Sequence, residues 1–309
     1  MKNGSDENIP ARGPARLTDP GLITLDYIAP PPLLQLYVTT FYYFRCDEQQ
    51  ISDIQPAAVG SVIFFLKGKG KMLFANRAEP SFPVSLLAPF SYAVPFEVDG
   101  PFHCVGAALS PLGWACLTGL DAREHRDTMS DASQVFGPDI LKLGERFRSA
   151  YADGSLTPSQ LCGEAADFLV PHLKPLKPRH VLMMAQIHQW LSASFNPSLE
   201  ELCETTGYSQ RQVQRLVERY FGVTPKLLVR KYRALRVAAL LQDPATDDIQ
   251  AAELLNQFYD QSHLIREVRL FAGRTPARLG DSEKPILEHL LNVRNFREIN
   301  PRVAGIPKD

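Results

Sequence analysis

The chain has 309 residues, 45% of them hydrophobic and 22% charged, with 33 Lys+Arg against 34 Asp+Glu; this excludes a collagenous or low-complexity protein and leaves room for two packed domains. The near-neutral total hides an asymmetry, because residues 1–175 carry 14 Lys+Arg against 19 Asp+Glu and residues 176–280 carry 14 against 10, as suits a protein that needs phosphate affinity in one half only. Five scattered cysteines (Cys46, Cys104, Cys116, Cys162, Cys203) without a C-x-x-C pair argue against a disulfide framework and a thiolate zinc site, and no apolar run has a membrane span's length, so the expected location is the cytoplasm.

In chain order, residues 1–20 are rich in Gly, Pro and charge and are expected to be a disordered lead-in. Short apolar or alternating runs follow: GLITLDYI, LYVTTFYYFRC, GSVIFFLKGKGKMLFANR, PVSLLAPF and HCVGAAL. Their spacing predicts a small antiparallel barrel or sandwich, with Gly68-Lys-Gly-Lys71 as a hairpin turn. From Pro111 the texture is helical, and PHLKPLKP at 171–178, with three prolines in eight residues, is the expected linker. The domains so drawn are 21–170, 179–280 and a tail at 281–309, in which Pro285-Ile-Leu-Glu-His-Leu-Leu-Asn-Val predicts a short helix packing on the preceding domain.

Gly222-Val-Thr-Pro225 recurs as Gly273-Arg-Thr-Pro276, displaced by 51 residues and each time close after an aromatic. The match continues upstream, pairing Val213 with Leu264, Leu216 with Glu267 and Val217 with Val268; further back Tyr208 pairs with Phe258. A duplicated unit implies two similar tools.

In the first copy Leu199, Leu202 and Cys203 give a stripe to a short helix ending at Gly207, the residue suited to a left-handed cap. Ser209 with Gln212 three positions on forms a capping-box pattern for a second helix, whose Val213, Leu216, Val217 and Tyr220 share one face. Short helix, turn, second helix is helix-turn-helix grammar, and the second helix enters the major groove near its N-terminus. The candidate DNA contacts are therefore Ser209, Gln210, Arg211, Gln212, Gln214, Arg215 and Arg219, with Lys231 beyond them. Eight Lys+Arg between Arg211 and Arg236 stand against Glu218 alone, a density that solubility does not explain. Thr224-Pro225 opens a helix running to Gln242, a rod of roughly 27 Å that would hold two readers about one DNA turn, near 34 Å, apart. In the second copy Asp260 is expected to cap the reading helix, with Gln261, Ser262, His263, Arg266 and Arg269 toward the groove and Leu264, Val268 and Phe271 in the core.

On GYSQRQVQRLVERYFGVTP and FYDQSHLIREVRLFAGRTP, residues 179–280 resemble the DNA-binding domain of the AraC/XylS regulators. The resemblance implies a two-unit helical domain acting on double-stranded promoter DNA, base contacts at Arg211, Arg215, Ser262 and Arg266, and contact with RNA polymerase if the protein is an activator. Two positions depart from that pattern: Gln257 stands where glycine precedes the turn aromatic, and Glu253 where a small residue sits. A non-glycine left-handed cap costs on the order of 1 kcal/mol, so either Asn256 takes the cap or the second unit is the weaker reader.

Residues 21–170 resemble, more distantly, the barrel-like N-terminal domains of such regulators, through Tyr27-Ile-Ala-Pro-Pro-Pro, Gly60-Ser-Val-Ile-Phe-Phe and Gly106-Ala-Ala-Leu-Ser-Pro-Leu-Gly. The fold expected is thus α+β and multidomain, a small cupin-like antiparallel barrel with following helices and then an all-helical double helix-turn-helix domain. The resemblance implies a small-molecule effector and a homodimer through the first domain, with Phe41, Tyr43, Phe64, Tyr92 and His103 as candidate pocket residues. A ligand-free dimerisation module and a cupin-type enzyme are the alternatives. The seven histidines contain no H-x-H pair, and there is no nucleophile elbow, P-loop or dinucleotide motif, so no metal, cofactor or catalytic residue is expected.

Overall fold

The computed structural model describes residues 22–242, 255, 258–279 and 285–290; the expectations for 1–20, Glu253, Asn256, Gln257 and 291–309 lie outside them. Strands β1 (Ile23–Ile28), β2 (Val38–Cys46), β3 (Gln50–Gln55), β4 (Ser61–Phe74), β5 (Arg77–Pro80), β6 (Val84–Leu87), β7 (Val94–Leu109) and β8 (Met129–Asp131) build one antiparallel sheet. Its order is β1-β2-β7-β4-β6-β8, with β3 added to β7 and β5 to β4. At 14 and 16 residues β4 and β7 are far longer than an ordinary strand. Each serves two neighbours in succession: β7 meets β3 through 94–99 and β2 through 102–109, while β4 meets β6 and then β5.

The register between β4 and β7 shifts between Phe65 and Lys67 and again between Lys67 and Lys69. Gly68 sits there at φ 77°, and a Cβ on it would fall 2.6 Å from Pro101 O. The Gly68–Lys71 stretch is therefore a bulge inside a continuous strand and not the expected hairpin turn; β7 runs opposite the whole of it, and the chain reverses only after Phe74, which pairs with Arg77. Bulges bend a strand, and this bend curls the sheet so that Phe96 and Cys104, from opposite halves of β7, line one cavity.

Of the helices that follow, α1 (Pro111–Thr118), α2 (Ala122–His125), α3 (Ser133–Phe136), α4 (Asp139–Asp153) and α5 (Pro158–Leu169), α4 and α5 cover the outer face of the sheet. Ser110 caps α1 by accepting from Gly113 N, and Thr157 with Gln160 forms a capping box on α5. Phe41, Phe64 and Leu86 meet Phe147 and Leu161 in one cluster, the rings of Phe64 and Phe147 lying 5.0 Å apart. Helices α6 (Pro178–Ala193), α7 (Leu199–Thr206), α8 (Gln210–Phe221), α9 (Pro225–Gln242) and α10 (Gln261–Ala272) form the C-terminal half, and α11 (Pro285–Leu290) follows.

The two halves are joined by polar contacts with a simple cause. The last carbonyls of a helix have no intrahelical partner, and those of α10 accept from the sheet half: Leu270 O from Ala93 N and Phe271 O from Ala57 N, both at 2.8 Å. Ile286 N at the start of α11 donates to Asp53 Oδ2 at 3.0 Å. The tail helix thus bridges the halves, with Ile286 in the sheet cluster and Leu287 in the C-terminal one, where the sequence suggested packing on the C-terminal half alone.

Candidate nucleic-acid interface

The first unit is shaped by its termini. Ser198 caps α7, accepting from Glu200 N, and Gly207 closes it in the left-handed region at φ 69°. Gln212 Oε1 accepts from both Ser209 N and Ser209 Oγ, at 3.0 and 2.9 Å, which fixes the entry to α8. Val213, Leu216, Val217 and Tyr220 are buried against Met183, Ile187 and Leu202. The opposite face, with Gln210, Arg211, Gln214, Arg215 and Arg219, is exposed. His180, beside this face and donating to or accepting from Tyr220 Oη at 2.7 Å, is held below its ordinary pKa by burial and then by Arg179, Lys177, Arg219 and Arg215. Those four cations make the local potential positive, which is what a phosphate-binding surface needs.

The second unit repeats the device. Asp260 Oδ1 accepts from His263 N at 2.6 Å to cap α10, Gly273 ends it at φ 89°, and Leu264, Val268 and Phe271 are buried. Gln261, Ser262, Arg266 and Arg269 are exposed. His263 faces inward instead, its Nε2 lying 3.1 Å from Glu267 Oε1.

Four cations of the basic stretch are engaged inside the protein, and three of them, Lys231, Arg233 and Arg236, are buried. Lys231, a candidate DNA contact in the sequence, is 3% exposed and donates to Phe90 O at 2.8 Å and Ala58 O at 3.2 Å, so it pins α9 to the sheet half. Arg230 and Arg233 both reach Glu267 at 2.5 Å, and Arg233 also bonds Asn196 and lies over the Phe258 ring. Arg236 is buried, donates to Leu191 O, and lies over Phe195 at 4.3 Å. The charge density therefore has a second cause besides DNA affinity, the internal latching of α9. One signal for it stands in the sequence: Glu267 occupies the repeat position of the apolar Leu216, and a buried carboxylate demands cations.

The C-terminal end of α8 rests on α2. Arg126 Nη1 donates to Gly222 O at 3.0 Å, Arg123 lies 3.6 Å from Glu218, and a Cβ on Gly222 would meet Ala122 O at 3.1 Å. Ser209, Gln210, Arg211, Gln212 and Gln214, at the other end of α8, the end that enters the groove in helix-turn-helix domains, are exposed.

Four of the five effector candidates lie on the helix side of the sheet, away from its cavity. Side chains alternate along a strand, and Phe41, Tyr43, Phe64 and His103 face the helices, where Tyr43 and His103 both hydrogen-bond Tyr151 and His103 also bonds Asp47. Tyr92 packs against the inner cluster and accepts from Ala75 N, outside the cavity lining. The cavity, about 180 Å³, is lined by the alternate positions, including Thr40, Tyr42 and Phe44 of β2 and Phe102 and Cys104 of β7. Among the described residues no group of His, Cys, Asp or Glu is placed to hold a metal ion, and no helix is long and apolar enough to cross a membrane.

Residues 202–281 match the family model of a helix-turn-helix domain. No curated protein sequence matches the chain. Among solved structures, ToxT from Vibrio cholerae O395 is similar at 12% identity, covering 79% of this chain and 97% of that one, with a TM-score of 0.43. The unsaturated fatty acid-bound ToxT from Vibrio cholerae strain SCE256 is similar at 13% identity, covering 74% and 94% with a TM-score of 0.43. The AraC-like transcriptional activator CuxR is similar at 12% identity, covering 70% and 86% with a TM-score of 0.31. Taken with the duplicated, capped units, the match over residues 202–281 identifies the C-terminal region of this chain as a helix-turn-helix domain.

Proposed function

We propose that the chain is a transcription regulator that reads two successive major-groove segments of promoter DNA, one with α8 and one with α10, and that its sheet half adjusts this binding by taking up a small molecule. The observation that carries the reading is the repeated device: two helices of 12 residues, each capped at its N-terminus and each presenting arginines one turn or less apart on an exposed face, Arg211 and Arg215 on α8, Arg266 and Arg269 on α10. The 18-residue α9 between the units spans roughly 27 Å, close to one DNA turn.

Selection of bound fragments from random DNA, followed by footprinting, tests this. The expected protection spans two successive turns on one face, and the joint change Ser262→Ala, Arg266→Ala and Arg269→Ala shrinks it to one. A one-turn footprint from the unaltered chain would defeat the two-groove reading. Binding is salt-dependent through counterion release at about −0.9 in log K per log salt for each phosphate met. With Lys231, Arg230, Arg233 and Arg236 engaged internally, the exposed Arg211, Arg215, Arg219, Lys226, Arg266 and Arg269 set a slope of about −5 if each meets one phosphate.

A further inference from the structure

The cavity inside the curled sheet has walls from both halves of the molecule. Leu25, Phe44, Ile63 and Phe102 come from the strands, and Ile286 and Leu290 of α11 close it from the C-terminal side. Among the described residues, none that lines the cavity is Lys, Arg, His, Asp or Glu. The polar side chains in the wall are largely committed to each other or to the backbone: Tyr42 Oη bonds Ser61 Oγ at 3.0 Å, Ser61 Oγ donates to Ala107 O, Thr39 to Ala108 O and Thr40 to Phe41 O. Burial pushes the Tyr42 hydroxyl and the Cys104 thiol up, so both stay neutral. The nearby cation, Lys231, is not a lining residue, and its ammonium donates to Ala58 O and Phe90 O of the wall.

We propose that this cavity takes a neutral, apolar small molecule, excludes its charged analogues, and uses α11 as the wall that senses it. The proposal rests on the reading of the sheet half as a sensor. An ionised group placed in this lining would lose its hydration and find no opposite charge among the described residues. A dry apolar cavity of roughly 150 Å³ accepts a molecule of benzene size, so about 180 Å³ suits a compact ligand of about six to ten heavy atoms.

The same wall transmits occupancy to the DNA-binding half. Residues 55–59 line the cavity, and within that segment Ala57 N holds Phe271 O at the end of α10 while Ala58 O holds Lys231 of α9. A ligand that presses on this segment or on Ile286 and Leu290 therefore shifts the anchorage of the second unit and leaves the α2 contact with the first untouched.

The test uses the full chain and three probes at pH 8: octan-1-ol, indole and octanoate, titrated by calorimetry and by thermal unfolding. Octan-1-ol and indole are expected to bind and to raise the unfolding temperature, since a ligand selective for the folded state stabilises it; octanoate is expected to bind at least tenfold more weakly than octan-1-ol. Octanoate binding as tightly as the alcohol, or no binding by either neutral probe, overturns the assignment of ligand class. Two fillings separate the walls: Ala108→Leu from the sheet and Leu290→Trp from α11 are each expected to weaken octan-1-ol at least tenfold. If Ala108→Leu does so and Leu290→Trp leaves affinity unchanged, α11 is not a wall and the sensing part fails. DNA affinity measured on the same samples with a selected fragment keeps the two readings apart: loss of ligand binding with DNA binding intact refutes this inference alone, whereas ligand binding without any DNA affinity refutes the proposed function.

Discussion

In α8 the side chain at the inner edge of the reading helix is Leu216, 5% exposed and packed among Met183, Ile187 and Val213. In α10 the matching residue is Glu267, 1% exposed and held between Arg230 and Arg233 of α9. The first unit is seated by apolar contact and rests on the sheet half through α2; the second is latched to α9 by charge and hung on the sheet half by its own terminal carbonyls. The ion pairs and carbonyl bonds that hold α10 have their partners on α9 and on the sheet half, so a shift of either carries α10 with it. The contrast makes the first unit the fixed reader and the second the one whose placement answers to the rest of the molecule.

The largest effect that can break this comparison is at Glu267. Glu267→Ala leaves the buried Arg233 without its carboxylate and is expected to cost about 3–5 kcal/mol in urea unfolding, against about 2–4 kcal/mol for Leu216→Ala. An equal or smaller loss at Glu267 would mean the latch is not what holds α10.

Acid should act on the first unit. His188 of α6 packs edge-on against Phe221, its Nε2 buried without a partner among the described residues, and burial pushes its pKa down to about 4. Below about 6.5 the unfolded chain takes a proton that the folded chain refuses until about 4, so stability is constant above that window and falls through it, by at most about 3 kcal/mol. Unfolding temperatures at pH 7.5 and 5.5 measure the drop, and His188→Phe is expected to remove most of it; an unchanged drop would assign the acid sensitivity elsewhere.

A smaller effect belongs to the turn of the first unit. Gly207 is left-handed at φ 69°, and a methyl group there would meet nothing within 4 Å, so Gly207→Ala should cost only the backbone strain, about 1 kcal/mol. A much larger loss would show that the turn carries a contact beyond its conformation.

The helical grammar of the C-terminal half is legible in the sequence because its signals are local: Ser209 with Gln212, Gly207, Thr224-Pro225 and Asp260 act on backbone groups within four residues. Three features are not, each for a physical reason. The cavity face cannot be chosen because β2 carries aromatics on both sides, Phe41 and Tyr43 outward and Tyr42 and Phe44 inward, so the two-residue alternation does not say which set meets the helices. The burial of Lys231 and Arg236 depends on carbonyls of Ala58, Phe90 and Leu191, distant in sequence. The Gly68 bulge resembles a turn because Gly and Lys serve either conformation until the length of β7 is known.

The central claim, two readers of unequal weight, is tested most directly by titrating a selected DNA fragment with Arg215→Ala and Arg266→Ala chains in parallel at one salt concentration. Both side chains are exposed on their helices, so neither change should disturb folding, and loss of a base or phosphate contact is worth about 1–3 kcal/mol. The account predicts the greater loss of affinity for Arg215→Ala, by about threefold or more, with the smaller loss for Arg266→Ala. Equal losses, or a greater one at Arg266, would contradict it.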